Sequence, residues 1–349
     1  FGPAARADET DAFRGKTITL YIGTGPGGGY DTYGRLVGRL FGRFLPGAPG
    51  VVVQNMPGAS SLVLTNFLYN KAPRDGTAVA VINQAMPMEQ FLQTEGIAYD
   101  SNRFAWIGRA SSAVETGIVW HTSPVKRIED VFTRETLVGG TGPTSSTVFI
   151  PNLLNNLAGT RFKVISGFNG TNEIGLAMER GEVEGSGTPL ESLKSYRANW
   201  MREGKIRVLV LWSAQREPEL PDVPSIVELG RTEEARRILK FYAAADDIGR
   251  SLVAPPGMAP ERIVTLRRAF DATMRDPQFL EDATKSGLEI KPMSGEALQE
   301  MVSEVATFPA DLIVKARAAR EGPSGPGHLP WAVGRGNLGG RGNLGDRAY

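Results

Sequence analysis

The chain has 349 residues, 41% hydrophobic and 22% charged, which is apolar material enough for two globular domains of ordinary size. Its 39 basic and 38 acidic residues leave a net charge of +1, which argues against nucleic acid or an anionic membrane surface as a main partner. There is no cysteine, hence no disulfide, thiol nucleophile or thiolate metal site, and no apolar run approaches the roughly 18 residues that a bilayer crossing needs.

At the N-terminus, Ala5-Arg6-Ala7 before Asp8-Glu9 has the small-x-small form of a signal-peptidase site, so residues 1–14 read as the remnant of an export leader. A short apolar run at Ile18, Leu20 and Ile22 predicts a strand. It is followed by Gly23 to Gly29, with five glycines in seven residues, and by a helix whose apolar face is Tyr33, Leu36, Val37, Leu40, Phe41 and Phe44. Glycine lets backbone approach a ligand, and the first amides of a helix are unpaired at the positive end of its dipole, so strand, glycine loop and helix together form an anion site. Two other readings compete: a tight connection, and a dinucleotide fingerprint at Gly23-x-Gly25-x-x-Gly28. The fingerprint also wants an acid closing the next strand, whereas Val51-Val-Val53 runs into Gln54-Asn55-Met56-Pro57, and Pro26 removes an amide from the loop.

Further strands are expected at Val51–Val53, at Thr77–Ile82, which ends on Asn83-Gln84, and at 104–108 and 117–120. A helix between the first two carries Leu64, Phe67 and Leu68 on one face. Strands and helices in this alternation predict mostly parallel sheets covered by helices. The second half repeats the opening device: the strand Leu137-Val-Gly-Gly leads through Thr141-Gly-Pro-Thr144 to hydroxyls at Ser145, Ser146 and Thr147, good helix starters, and then to a helix with Phe149, Leu153, Leu154 and Leu157. Pro151 should kink that helix. Strands follow at Phe162–Ile165, at Val183–Gly185, which runs into Ser186-Gly-Thr188-Pro189, and at Ile206–Trp212. The 232–240 stretch reads as helix. Ser251 to Gly257 returns toward the first half, and helices are expected over 260–274, 276–286 and 295–319 with a short strand at 288–290. From Gly322 the composition turns to Gly, Pro, Arg and Asn, with Arg-Gly-Asn-Leu-Gly at 335–339 and again at 341–345, a tail unable to bury a core.

Catalytic signatures are missing from the sequence. Of two histidines, His121 sits at a strand end and His328 in the tail, and no nucleophile elbow, metalloprotease helix or P-loop motif occurs. Two glycine-loop helix starts, one per half, instead predict a cleft that grips a small carboxylate. Each charge-assisted bond is worth roughly 1.5–3 kcal/mol, so micromolar binding needs no arginine clamp. Asp31 has two open readings, compensation of the helix dipole or acceptance of a ligand amine or hydroxyl. Tyr30 either packs over the ligand or lies on the surface.

Pro26-Gly-Gly-Gly-Tyr-Asp31 resembles the opening loop of the tripartite tricarboxylate transporter receptors, the Bug family of periplasmic solute-binding proteins. Val53-Gln-Asn-Met-Pro-Gly-Ala59, Ala72-Pro-Arg-Asp-Gly-Thr77, Gly167-Phe-Asn-Gly170, the run from Glu219 to Glu228 and the run from Leu252 to Pro260 are similar in the same order, so the likeness covers about residues 15–320. The resemblance implies a two-domain α/β fold of the type II periplasmic-binding-protein class, with a cleft between domains. The first domain takes 15–110, the second 111–240, and 241–320 returns to the first. It implies a monomeric, exported, periplasmic receptor without cofactor, metal or catalysis, for a di- or tricarboxylate or related organic acid, partnered by membrane permease subunits or by a sensory system. The implied ligand-binding residues are Thr24, Gly27, Gly28, Gly29, Tyr30, Asp31, Gln84, Ser145, Ser146, Thr147, Asn169 and Thr188. The alternative is a dinucleotide-dependent oxidoreductase that uses loop 23–28.

Overall fold

The computed structural model describes residues 12–92, 94–141, 145–168, 170–194 and 197–321; the Ala5-Arg6-Ala7 site, Asn169 and the tail lie outside them. Eleven strands fall into two sheets among these residues. The first sheet contains β1 (Thr17–Ile22), β2 (Gly50–Asn55), β3 (Ala78–Val81) and β4 (Ala105–Arg109), with β10 (Ser251–Ala254) and β11 (Met293–Ser294), in the order β11-β4-β10-β3-β1-β2. The second contains β5 (Glu115–Trp120), β6 (Thr136–Gly140), β7 (Phe162–Ser166), β8 (Gly185–Pro189) and β9 (Ile206–Trp212), in the order β7-β6-β8-β5-β9.

The two sheets share one plan. β1 pairs parallel with β2 and β3, and β6 pairs parallel with β7 and β8. The strand entering from the other sheet then runs against its neighbours: β10 between β3 and β4, and β5 between β8 and β9. The sheets are therefore mixed rather than mostly parallel, because a chain that crosses over meets its new sheet from the opposite end. β11 also pairs antiparallel, on β4.

The helices are α1 (Gly29–Phe41), α2 (Leu62–Asn70), α3 (Met86–Phe91), α4 (Ser146–Ala158), α5 (Thr171–Glu179), α6 (Leu190–Lys194), α7 (Ala198–Arg202), α8 (Glu233–Ile248), α9 (Pro260–Arg275), α10 (Pro277–Lys285), α11 (Gly295–Val305) and α12 (Ala310–Arg320). Among the described residues none is long and apolar enough to cross a membrane. α1 buries Tyr33, Leu36, Val37, Leu40 and Phe41 against β1 and β2, as its spacing predicts. β3 is buried on both faces, which suits its unbroken Ala-Val-Ala-Val run. One core backs the first sheet with Leu20, Ile22, Phe41 and Phe270, and another backs the second with Ile118, Trp120, Ile174 and Leu193. The largest core joins Trp106 of the first sheet, Trp212 of the second, and α8.

Several local expectations change. α4 continues through Pro151. α8 runs eight residues past 240 and across the expected 240/241 junction. The 288–290 stretch is no strand; the edge pairing falls on Met293–Ser294. The strand expected at 183–185 is instead Gly185–Pro189, so Ser186 to Thr188 belong to the sheet. The expected single helix over 295–319 is two helices, broken before Pro309, whose ring disfavours helical backbone in the residue ahead of it.

Candidate functional site

In both sheets the loops at the carboxyl ends of the parallel strands lead into helices, the arrangement that builds a ligand crevice in open α/β sheets. β1 leads to α1, β6 to α4 and β7 to α5, so three helix starts carry unpaired amides and positive dipole ends. Gly29 and Tyr30 from α1, Ser145, Ser146 and Thr147 from α4, and Thr171 from α5 line one cavity of about 550 Å³. Gln84, at the end of the β3 connection, lines it as well. The hydroxyls at the α4 start are held in place: Thr141 Oγ1 donates to Ser145 Oγ at 2.8 Å, and Thr141 N donates to Thr147 Oγ1 at 3.0 Å.

The floor is made by two chain crossings between the sheets. The segment from β4 to β5 runs beside the segment from α8 to β10, joined by Ala113 N donating to Asp246 O at 3.0 Å, Arg250 N to Ser111 O at 2.8 Å and Ala110 N to Arg250 O at 2.9 Å. Gly249 turns between α8 and β10 with φ +51°, and a Cβ there would lie 2.2 Å from Ser111 O. Such close approach in a positive-φ conformation requires glycine.

Charged side chains hang from these crossings. The Arg250 guanidinium, 6% exposed, forms an ion pair with Glu191, lies 4.2 Å from the Tyr30 ring centroid and donates to Gln84 Oε1 at 3.3 Å. Burial alone would lower its pKa, but Glu191, Tyr30 and Glu115 hold it firmly charged. Tyr30 Oη donates to Gln84 Oε1 at 3.2 Å and accepts from Gln84 N at 3.1 Å, and burial raises its pKa to about 12. Gln84 Nε2 donates to Asp246 Oδ1 at 2.7 Å, and Glu115 N donates to Asp246 Oδ2 at 2.8 Å. Burial pushes Asp246 well above the usual carboxylate range, helped by Glu115 nearby. Burial likewise lifts Glu115 to about 7, opposed by Arg250, reinforced by Glu191 and tempered by a hydrogen bond with Ser146. What surface Glu115 keeps faces the cavity. Away from this cluster the wall turns aromatic, with Phe149 6.0 Å from Trp212 and 5.9 Å from Tyr242 between ring centroids.

Of the residues implied at the sequence level, Gly29, Tyr30, Gln84, Ser145, Ser146 and Thr147 share the cavity wall. Thr24, Gly27, Gly28, Asp31 and Thr188 stand off it. Asp31 is buried and braces the glycine loop: Gly27 N donates to it at 2.9 Å, Asn55 Nδ2 at 2.8 Å and Arg35 Nε at 3.0 Å, and these bonds lower its pKa against the effect of burial. Residues 25–28 are exposed. Thr188 lies in β8, its hydroxyl buried without a hydrogen-bond partner. The sequence reading named no charged residue here beyond Asp31, yet Arg250, Glu191, Glu115 and Asp246 are on the cavity wall. A signal for two of these was present: Glu115 is the only charged residue between Ala110 and Trp120, and Arg250 abuts the apolar run of β10. Nothing local marks Glu191 or Asp246.

Residues 47–317 match the sequence model of the tripartite tricarboxylate transporter family receptor. A UPF0065 protein of Cupriavidus necator is 26% identical over 321 residues, which cover 90% of this chain and 89% of that one. A TctC solute-binding protein from Polaromonas superposes with a TM-score of 0.64 at 21% identity, over 86% of this chain and 98% of its own. MatC from Rhodopseudomonas palustris, solved with bound malate, does so with a TM-score of 0.59 at 18% identity, over 85% and 98%. At these identities the structures establish the fold, the expected two-domain type II periplasmic-binding-protein class. The dinucleotide reading of Gly23 to Gly28 falls with the family match. The chain belongs to the tripartite tricarboxylate transporter receptor family, whose members are solute-binding receptors and not enzymes.

Proposed function

We propose that this chain is a periplasmic receptor that captures a small organic acid between its two halves and hands it to the membrane permease subunits of a tripartite tricarboxylate transporter. The observation that carries the reading is the meeting of the α1 and α4 starts on one cavity beside the buried guanidinium of Arg250. Amides at helix starts and a charged guanidinium are the donors that a carboxylate needs, and they are already fixed in place before any ligand arrives. The binding of malate by MatC, which shares the fold, supports an acid of similar size. Capture by closure about the two crossings fits a monomer in which the wall comes from both sheets.

Native mass spectrometry of the purified protein, followed by a thermal-shift panel of organic and amino acids of four to six carbons, tests this. At a ligand concentration of 100 Kd, binding adds about 2.7 kcal/mol, a rise of several degrees. If no acid is retained and none shifts the transition, the receptor reading fails.

A further inference from the structure

Charge also bridges the two halves outside the cavity. Glu191, near the start of α6, pairs with Arg250 on the cavity wall. One turn along the same helix, Lys194 Nζ reaches out of the second half and donates to Glu289 Oε2 of the first at 3.2 Å. The same ammonium bonds Glu219 of its own half at 2.7 Å. Glu289 in turn pairs with Lys291 at 3.0 Å, and Lys291 crosses back to Glu217, after β9 in the second half, at 3.4 Å. Glu219, Lys194, Glu289, Lys291 and Glu217 thus form a ladder of alternating sign, and two of its contacts pass between the halves.

The first-half members are fixed in place. Tyr33, one turn after the cavity residue Tyr30 on α1, donates through Oη to Glu289 O at 2.8 Å. Lys291 N donates to Ala110 O at 3.0 Å, and Lys291 O accepts from Arg109 Nη2 at 3.2 Å, which ties the segment to β4 and its crossing. All but Glu219 are half-buried. Burial alone would raise the Glu289 carboxyl, yet Lys291 and Lys194 hold it below its ordinary range. Burial alone would lower Lys291, yet Glu289 and Glu217 raise it. A lone exposed pair contributes little, whereas a linked, half-buried set loses its bridging contacts together when the halves separate.

We infer that this ladder is an ionic seam that draws the two halves together without help from a ligand, so that the resting width of the cleft follows the ionic strength of its surroundings. The consequence for capture rests on the receptor reading; the seam itself does not.

Because the chain has no cysteine, Val52→Cys with Leu176→Cys, at exposed positions on opposite halves, places spin labels at those two sites alone. Dipolar distance measurement on protein dialysed free of small molecules should give one short distance in dilute sodium chloride. A longer distance should join it as the salt rises from 0.01 M to 1 M and the screening length falls from about 30 Å to about 3 Å. Glu289→Gln should raise the share of the longer distance about threefold or more at low salt and remove its dependence on salt. Lys194→Met is the second variant should the first fail to fold. Glu281→Gln takes the same charge from the same half but breaks only the pair with Lys285 inside α10, and should leave the distances as they were. Distances indifferent to salt and to Glu289→Gln, or equally altered by Glu281→Gln, would overturn the inference. The receptor reading would still stand or fall by its own thermal-shift test.

Discussion

At the scale of single residues, burial of acids on the crossings has a consequence for stability as well as for recognition. Glu115 rises from its ordinary 4.5 to about 7, mainly because burial penalises its charged form, and Asp246 moves in the same direction. A group whose folded-state pKa is raised adds stability that is full below its unfolded pKa and is lost as pH climbs through the folded one. The ligand-free protein should therefore lose stability between pH 5 and pH 8, by as much as about 3 kcal/mol for Glu115. Asp31 and Glu184, both lowered, act in the opposite sense and only below about pH 4. Thermal denaturation across this range should show the decline, and Glu115→Gln should flatten it. A melting temperature that rises from pH 5 to pH 8 would contradict this account of the floor.

Elements differ in how far the chain announced them. α1 could be located from its apolar spacing and the glycines ahead of it, and the repeated device at 137–147 marked the start of α4. Both lie on the cavity because each follows a parallel strand, a rule legible without coordinates. α8 was cut short because its second half, Phe241-Tyr-Ala-Ala-Ala-Asp-Asp-Ile248, lacks the charged face of its first half, and that half supplies Tyr242 and Asp246 to the wall. Glu191 stayed hidden because its place is fixed by a partner 59 positions away. The break at Pro309 was readable from local chemistry alone. It lets α12 turn back over α4 and α8, where Tyr242 Oη donates to Ala316 O at 2.9 Å and Asn156 Nδ2 to Ala319 O at 2.8 Å. Tyr242→Phe removes the first of these bonds in a buried setting and should cost about 1 kcal/mol in urea denaturation. An unchanged midpoint would mean that α12 is held by apolar packing alone.

At the scale of the whole molecule, two sheets of one plan are joined by the β4-to-β5 and α8-to-β10 crossings, and at Gly249 the second lies close against Ser111 of the first. Gly249→Ala places a Cβ against Ser111 O and keeps a positive φ that alanine tolerates poorly, so the crossings must part. A loss of about 1–3 kcal/mol in stability is expected. The decrease in radius of gyration on ligand addition, measured by small-angle scattering, should shrink in the same variant. Full compaction with unaltered stability would show that the joint lies elsewhere.

Because Glu115, Asp246 and Arg250 are mounted on the crossings themselves, the cavity wall and the joint between the sheets share the same short stretch of backbone. An engineer who swaps one of these side chains to admit a new metabolite also alters the resting angle of the jaw.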